Sequence, residues 1–255
     1  MMNDTFSWKR FGLFARAELA GQGRRMLLKA GGFALTCFMI YSLWNIDAIF
    51  NTGHRFFSFS IAGARGFAWI VFTVIVMVNL SRSFKRYFSP GEAVTALTIP
   101  AARSEKFLYV ALKNMLFVPL GLELILCLND VLWTTLFGHT NLFGMLFDAI
   151  VKYMDIRLAL FLLFVLLNGF ALLAFFLAGA VVFRRHQFLG TLIAFFVLNI
   201  PLFVLVQIEP GMVYQFNRTM DWPTNMAILD LVTLGIGILW IYIARRRFST
   251  LQITK

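Results

Sequence analysis

Apolar residues fill six long stretches of this chain, at 27–47, 61–80, 107–128, 156–182, 188–207 and 227–244, separated by short polar connections. Each stretch reaches or approaches the ~20 residues that an α-helix needs to cross a ~30 Å hydrocarbon layer. The runs are continuously apolar, not alternating, which excludes a closed β-barrel. The pattern predicts an all-α, polytopic membrane protein with six transmembrane helices, built as a single membrane domain over 1–255. No connection is long enough to fold as a separate soluble domain.

The connections carry predictions of their own. Residues 5–25 set Trp8, Phe11, Leu13 and Phe14 beside Lys9, Arg10 and Arg16. That mixture reads as an amphipathic helix lying in the membrane interface and feeding into the first span. Residues 129–155 form an unusually apolar connection, and 141–154 fit a helix at the interface. Arg184, Arg185 and His186 mark a tight hairpin between the fourth and fifth spans. Asn199 and Pro201 interrupt the fifth span near its end, a break that in some bundles lines a cavity.

Charge sets the orientation. Of the 23 Lys and Arg, seventeen lie on one side: six in the N-terminal segment, five in the second connection, Arg184 and Arg185, and four in the tail. The opposite side has Arg55, Arg65, Lys152, Arg157 and Arg218. Lys and Arg are retained on the cytoplasmic side, so both termini are predicted to be cytoplasmic. With the acids counted, one face carries about +13 and the other about −2. The formal charge of +11 is therefore explained by a basic rim drawn to anionic lipid head groups, and no nucleic-acid partner is required.

The two cysteines, Cys37 and Cys127, fall inside apolar runs and read as small buried residues, not as a disulfide or metal site. The polar and basic residues ahead of the first run, with no small-residue cleavage site after it, do not read as a signal peptide. There is no Gly-Lys step and hence no nucleotide-cradling loop. No serine has a glycine two places before it, and there is no His-Glu-x-x-His. His54, His139 and His186 are scattered over both sides. No catalytic residue, metal site or cofactor is predicted, and the chain does not read as an enzyme.

Ionisable and amide groups inside spans are costly there and become candidates for function. They are Lys113, Glu123, Arg157, Asn168 and Asp230. Lys113 lies near the start of the third span, where its long stem reaches back to the interface. A Glu123–Arg157 contact would neutralise both charges, as a structural tie or as part of a substrate contact. Arg157 and Asp230 are read at similar depth. Asn168 stands beside Gly169, Ala171, Ala174 and Ala178, a small face that lets helices approach and an amide hydrogen-bond across them.

The string Leu97-Thr98-Ile99-Pro100-Ala101-Ala102-Arg103-Ser104-Glu105-Lys106-Phe107-Leu108 resembles the Leu-x-x-Pro-Ala-Ser-x-x-Glu-Lys-Phe-Leu segment of type-2 ATP-binding-cassette (ABC) permease-like membrane proteins of Bacteroidetes-type bacteria, with Ala102 in place of the Ser. The opening Phe6-Ser7-Trp8-Lys9-Arg10-Phe11-Gly12 and the closing Arg246-Arg247-Phe248 are similar to that group as well. The resemblance implies a permease of the bacterial inner membrane, paired as a homo- or heterodimer and driven by a separate ABC ATPase subunit. It also implies that 84–106 is the coupling segment, with Glu92, Leu97, Ile99, Pro100, Arg103 and Glu105 toward the ATPase. Pro100 is placed as a first-turn residue, and Glu105 falls too late to be a first-turn acid. The chain departs from type-2 exporters in having a short loop between spans five and six. A non-transporting membrane scaffold or assembly protein with a permease-like fold is the alternative.

The topology is open to direct test. Fusions at residue 255 should be active only with a cytoplasmic reporter, and fusions near residue 140 only with an external one; the reverse pattern would overturn the orientation.

Overall fold

The structure, a computed structural model, describes residues 6–44, 61–88, 101–137, 144, 156–183, 185–208 and 222–250. Among these the chain is helical, with no strand. In order, the elements are α1 (Trp8–Trp44), α2 (Ile61–Ser81), α3 (Lys85–Phe88), α4 (Arg103–Leu112), a π-helical segment (Lys113–Phe117), α5 (Val118–Phe137), α6 (Ile156–Val182), α7 (Gln187–Ile208) and α8 (Trp222–Ser249). Five helical stretches, Trp8–Trp44, Gly63–Phe88, Arg103–Leu136, Ala159–Val182 and Pro223–Ser249, are long and apolar enough to cross a membrane. α7 is a further apolar helix, its side chains described over Gln187–Ile200. Large apolar side chains face outward along these helices, among them Leu27, Leu166 and Leu231 at 75%, 71% and 69% exposure. Water would penalise such a surface, whereas lipid tails accept it. The chain is a helical, multi-pass membrane protein.

Element boundaries differ from the sequence reading in three places. Residues 8–44 form one helix of 37 residues, roughly 55 Å long at 1.5 Å per residue. No break near residue 26 separates an interfacial helix from a span, because Gly21, Gly23, Gly31 and Gly32 all remain helical. The third run extends at both ends, from Arg103 to Phe137, so the first residues of the expected 129–155 connection are helical. α7 continues past Pro201 to Ile208 without the expected interruption. Residue 5 of the N-terminal segment, the 45–47 end of the first stretch and all of 138–155 except residue 144 lie outside the described residues.

The π segment has a local cause. Pro119 has no N–H to donate to the carbonyl four residues back, and its ring crowds that carbonyl. A wider turn just before a proline accommodates both problems, and the segment Lys113–Phe117 ends two residues before Pro119. Asn114 lies within it and donates from Nδ2 to the Val110 carbonyl at 2.8 Å.

The chain forms two compact units, one from residues 8–76 and 116–152, the other from 1–7, 77–115 and 153–255. In the first, α1 packs on α5. Phe38 meets Trp133 at 5.3 Å between ring centroids, Trp44 stacks on Phe67 at 5.2 Å, and Phe33 meets Phe72 at 6.4 Å.

In the second unit, α6 packs on both α8 and α7. Gly237 of α8 lies against the Phe170 ring and the Ala171 backbone, and Trp240 meets Phe175 at 4.9 Å. Both pairs advance together along the chain, so α6 and α8 run parallel. Of the expected small face, Ala174 and Ala178 are buried, whereas Ala171 is half-buried and Gly169 is exposed. The expected hairpin is present: α6 ends at Val182, α7 begins at Gln187, and Gln187 Nε2 donates to the Ala180 carbonyl at 3.1 Å.

At Gly179 the two helices of that hairpin approach closely, since a Cβ there would lie 2.1 Å from Thr191 Oγ1. Gly179→Ala should therefore destabilise the protein by about 1–3 kcal/mol through overpacking. Gly169→Ala, on the same helix with nothing within 4 Å, should be neutral or stabilise by up to about 1 kcal/mol, because alanine removes glycine's entropy cost in a helix. Thermal unfolding in detergent compares the two, and equal effects would sink the close-approach argument.

Candidate functional site

Within the second unit, polar and aromatic contacts gather where three parts of the chain meet: Ser7, the helix ends that flank residues 89–100, and the end of α8. Ala102 is extended (φ −61°, ψ 152°) and α4 begins at Arg103. That start makes Glu105 a first-turn acid, contrary to the sequence reading, which took it to come too late. Its Oε2 accepts the Ala102 N–H at 3.0 Å and its Oε1 accepts the Ser7 N–H at 2.8 Å. Glu105 is completely buried. One carboxylate thus meets an otherwise unpaired donor at the helix start and ties down a residue 98 positions away. Only this half of a capping box exists, because Ala102 has no hydroxyl to return a bond to the third helical residue.

Aromatic rings close the same region. Phe84, Phe107 and Phe248 are all buried. Phe84 meets Phe248 at 5.1 Å and stacks on Phe107 at 5.9 Å, while Tyr87 stands edge-on to Phe248 at 5.3 Å. Arg103 is exposed and donates from Nη1 to the Ser249 carbonyl at 2.7 Å. Of the residues assigned to coupling, Arg103 and Glu105 therefore sit at this junction. Glu92, Leu97, Ile99 and Pro100 lie outside the described residues.

The first unit holds a buried ion pair that the sequence reading missed. Arg65 donates from Nε to Asp130 Oδ1 at 2.7 Å and from Nη2 to Oδ2 at 3.1 Å. Tyr41 Oη donates to Asp130 Oδ1 at 3.0 Å. Asp130 and Tyr41 are fully buried, and Arg65 is nearly so. Three helices, α1, α2 and α5, each supply one member. Arg65 and Asp130 were counted with the outer connections, but both are helical and neutralise one another. The signal available was that Arg65 lies inside the 61–80 run and that an apolar stretch resumes after Asp130.

The remaining intramembrane candidates lie on the π segment, α5, α6 and α8. Lys113 starts the π segment, with Nζ 5.8 Å from the Tyr109 ring centre. Glu123 is half-buried on α5 in the first unit, whereas Arg157 belongs to the second unit and its side chain lies outside the described residues. Asn168 is exposed and donates to the Phe164 carbonyl of its own helix at 2.9 Å, so it does not bond across the small face as expected. Asp230 on α8 is buried, and neither carboxylate oxygen has a hydrogen-bond partner among the described residues. The register that sets Gly237 against Ala171 puts Asp230 level with residue 164, so Asp230 and Arg157 are not at similar depth. They differ by roughly 10 Å along the helices.

Among the described residues, no group of three or more His, Cys, Asp or Glu could hold a metal ion. No protein-family model matches the chain, and neither does any curated protein or solved structure.

The ion pair yields a prediction. Asp130→Asn leaves the buried Arg65 charge without its counter-ion and should cost about 3–5 kcal/mol. The double change Arg65→Met with Asp130→Leu removes both charges and should recover most of that loss. Thermal unfolding of the purified variants measures both; a double variant as unstable as the sum of its singles would refute the pairing.

Proposed function

We propose that the chain is the membrane subunit of an ABC-type exporter: a six-span permease with both termini cytoplasmic, in a bacterial inner membrane, energised by a separate ATPase subunit and hydrolysing nothing itself. The observation that carries the reading is the fastening of the 84–106 connection. A segment that receives a push from a partner must pass it to the spans. Here Phe84 and Tyr87 on one flank, and Arg103, Glu105 and Phe107 on the other, engage Phe248, Ser249 and Ser7. Movement of the connection would therefore load α2, α4 and the end of α8 together. The resemblance of residues 97–108 to permease coupling segments supports the same role. Asp230, a buried carboxylate without a donor among the described residues, is the group in this unit that a cationic part of a cargo would satisfy.

In this mechanism ATP-driven closure of two ATPase subunits pushes on the connections of a permease pair. The spans tilt, and a site alternates between inward and outward access.

Cysteines placed across 88–99 should cross-link to a co-expressed ATPase encoded beside this gene. Glu92→Lys or Arg103→Glu should lower ATPase stimulation in nanodiscs by roughly tenfold, equivalent to about 1.4 kcal/mol of coupling, with little change in the melting of the spans. If no ATPase co-purifies and 88–99 labels freely along its length, the scaffold alternative replaces the permease.

A further inference from the structure

We propose that the last turns of α8 hold one phospholipid with an anionic headgroup, its phosphate between Arg246 and Arg247 and its acyl chain along Ile236, Leu239 and Ile243. The proposal requires only that α8 lies in a bilayer and does not depend on the permease reading.

A groove of about 610 Å³ is lined by Tyr242, Ile243, Arg246, Arg247 and Thr250. That volume suits a phosphodiester headgroup and the start of its chains better than a bare ion. The positions 232, 236, 239, 243, 246 and 250 recur at helical spacing and share one face of α8. Along it Val232, Ile236 and Leu239 are 53%, 46% and 53% exposed, and the charged residues follow directly. From Ile236 to Arg246 is roughly 15 Å, half of a ~30 Å hydrocarbon layer and so one leaflet. Tyr242, exposed beside the groove, stands at the level where aromatic side chains favour the membrane interface.

Among the described residues the arginines have no competing duty. The end of a helix leaves carbonyls that basic side chains often serve. Here Arg103 serves Ser249, and the Ser249 and Thr250 hydroxyls serve the carbonyls of Arg246 and Arg247. The guanidinium groups of Arg246 and Arg247 are exposed and enter no ion pair among the described residues. Two adjacent planar forks match the oxygens of a phosphate bidentately, and Arg103 adds a third positive charge at the same helix end. A continuous apolar track of one leaflet's length below paired guanidiniums is the complement of a lipid and not of a soluble anion.

The full-length protein in neutral detergent is titrated with fluorescent phosphatidylglycerol against unlabelled phosphatidylcholine. R246Q/R247Q should weaken binding about tenfold. R24Q/R25Q, which removes an equally exposed basic pair from α1, should change it less than twofold. Equal losses from the two pairs would show a diffuse basic rim and overturn the site, as would no loss from either. Displacement of the lipid by millimolar glycerol phosphate would reassign the groove to a soluble phosphate and likewise overturn it. Should R246Q/R247Q melt below the working temperature, R246K/R247K decides instead: it keeps the charge and loses the fork, so binding at least threefold weaker supports the site and unchanged binding overturns it.

Discussion

Lipid offers no hydrogen bonds, so a polar group placed among the apolar helices is costly unless it finds a partner within the chain. The short polar side chains follow that constraint in one manner. Thr36, Ser42, Thr73, Ser81, Asn129, Asn168 and Asn199 each donate to the carbonyl four residues earlier on their own helix. This removes a donor from the apolar surroundings without needing a neighbour. A carboxylate has no donor and cannot use the same solution. Asp130 takes three bonds from two other helices, and Glu105 takes two backbone N–H groups. Asp130 and Glu105 therefore tie distant parts of the chain together, with the Tyr41 hydroxyl as one of the donors.

The same distinction explains what the sequence made legible. Runs of apolar residues locate spans because length and hydropathy alone decide whether a helix can enter the membrane. They do not locate helix ends. α4 starts at Arg103 because Ala102 is extended and Glu105 caps it from within. Ala102 is a poor N-cap type by residue identity, so the start was not readable there. Counting charges by side, useful for orientation, placed Arg65 and Asp130 with the outer connections. Their mutual neutralisation depends on three helices converging, which no local pattern encodes. Asn168 was read as interhelical glue; its exposure and its bond to Phe164 follow from α6 turning its alanines, not its amide, toward its neighbours.

Packing in the second unit relies on absence of bulk. Gly179 admits Thr191, and Gly237 admits Phe170. Dispersion at such short separations replaces the hydrophobic drive that lipid cannot supply between helices. The aromatic group of Phe175, Phe176, Phe195 and Trp240 fills the wider parts of the same packing. Small and large residues are thus complementary: close contact at glycine and alanine creates the spaces elsewhere that rings must occupy.

The π segment is a local irregularity in an otherwise α-helical stretch. Single π turns inside α-helices are among the places where helices kink. Lys113–Phe117 lies where the 103–137 helix passes from one compact unit to the other, and α2 passes between units at residues 76–77. Asn79 and Asn114, on these two helices beside the crossing points, are 3.4 Å apart through their side chains, a long and weak bond. By contrast, the Arg65–Asp130 pair and the Glu105 tie lie wholly within one unit each, and both are short and charged. The short, charged interactions thus hold each unit to itself.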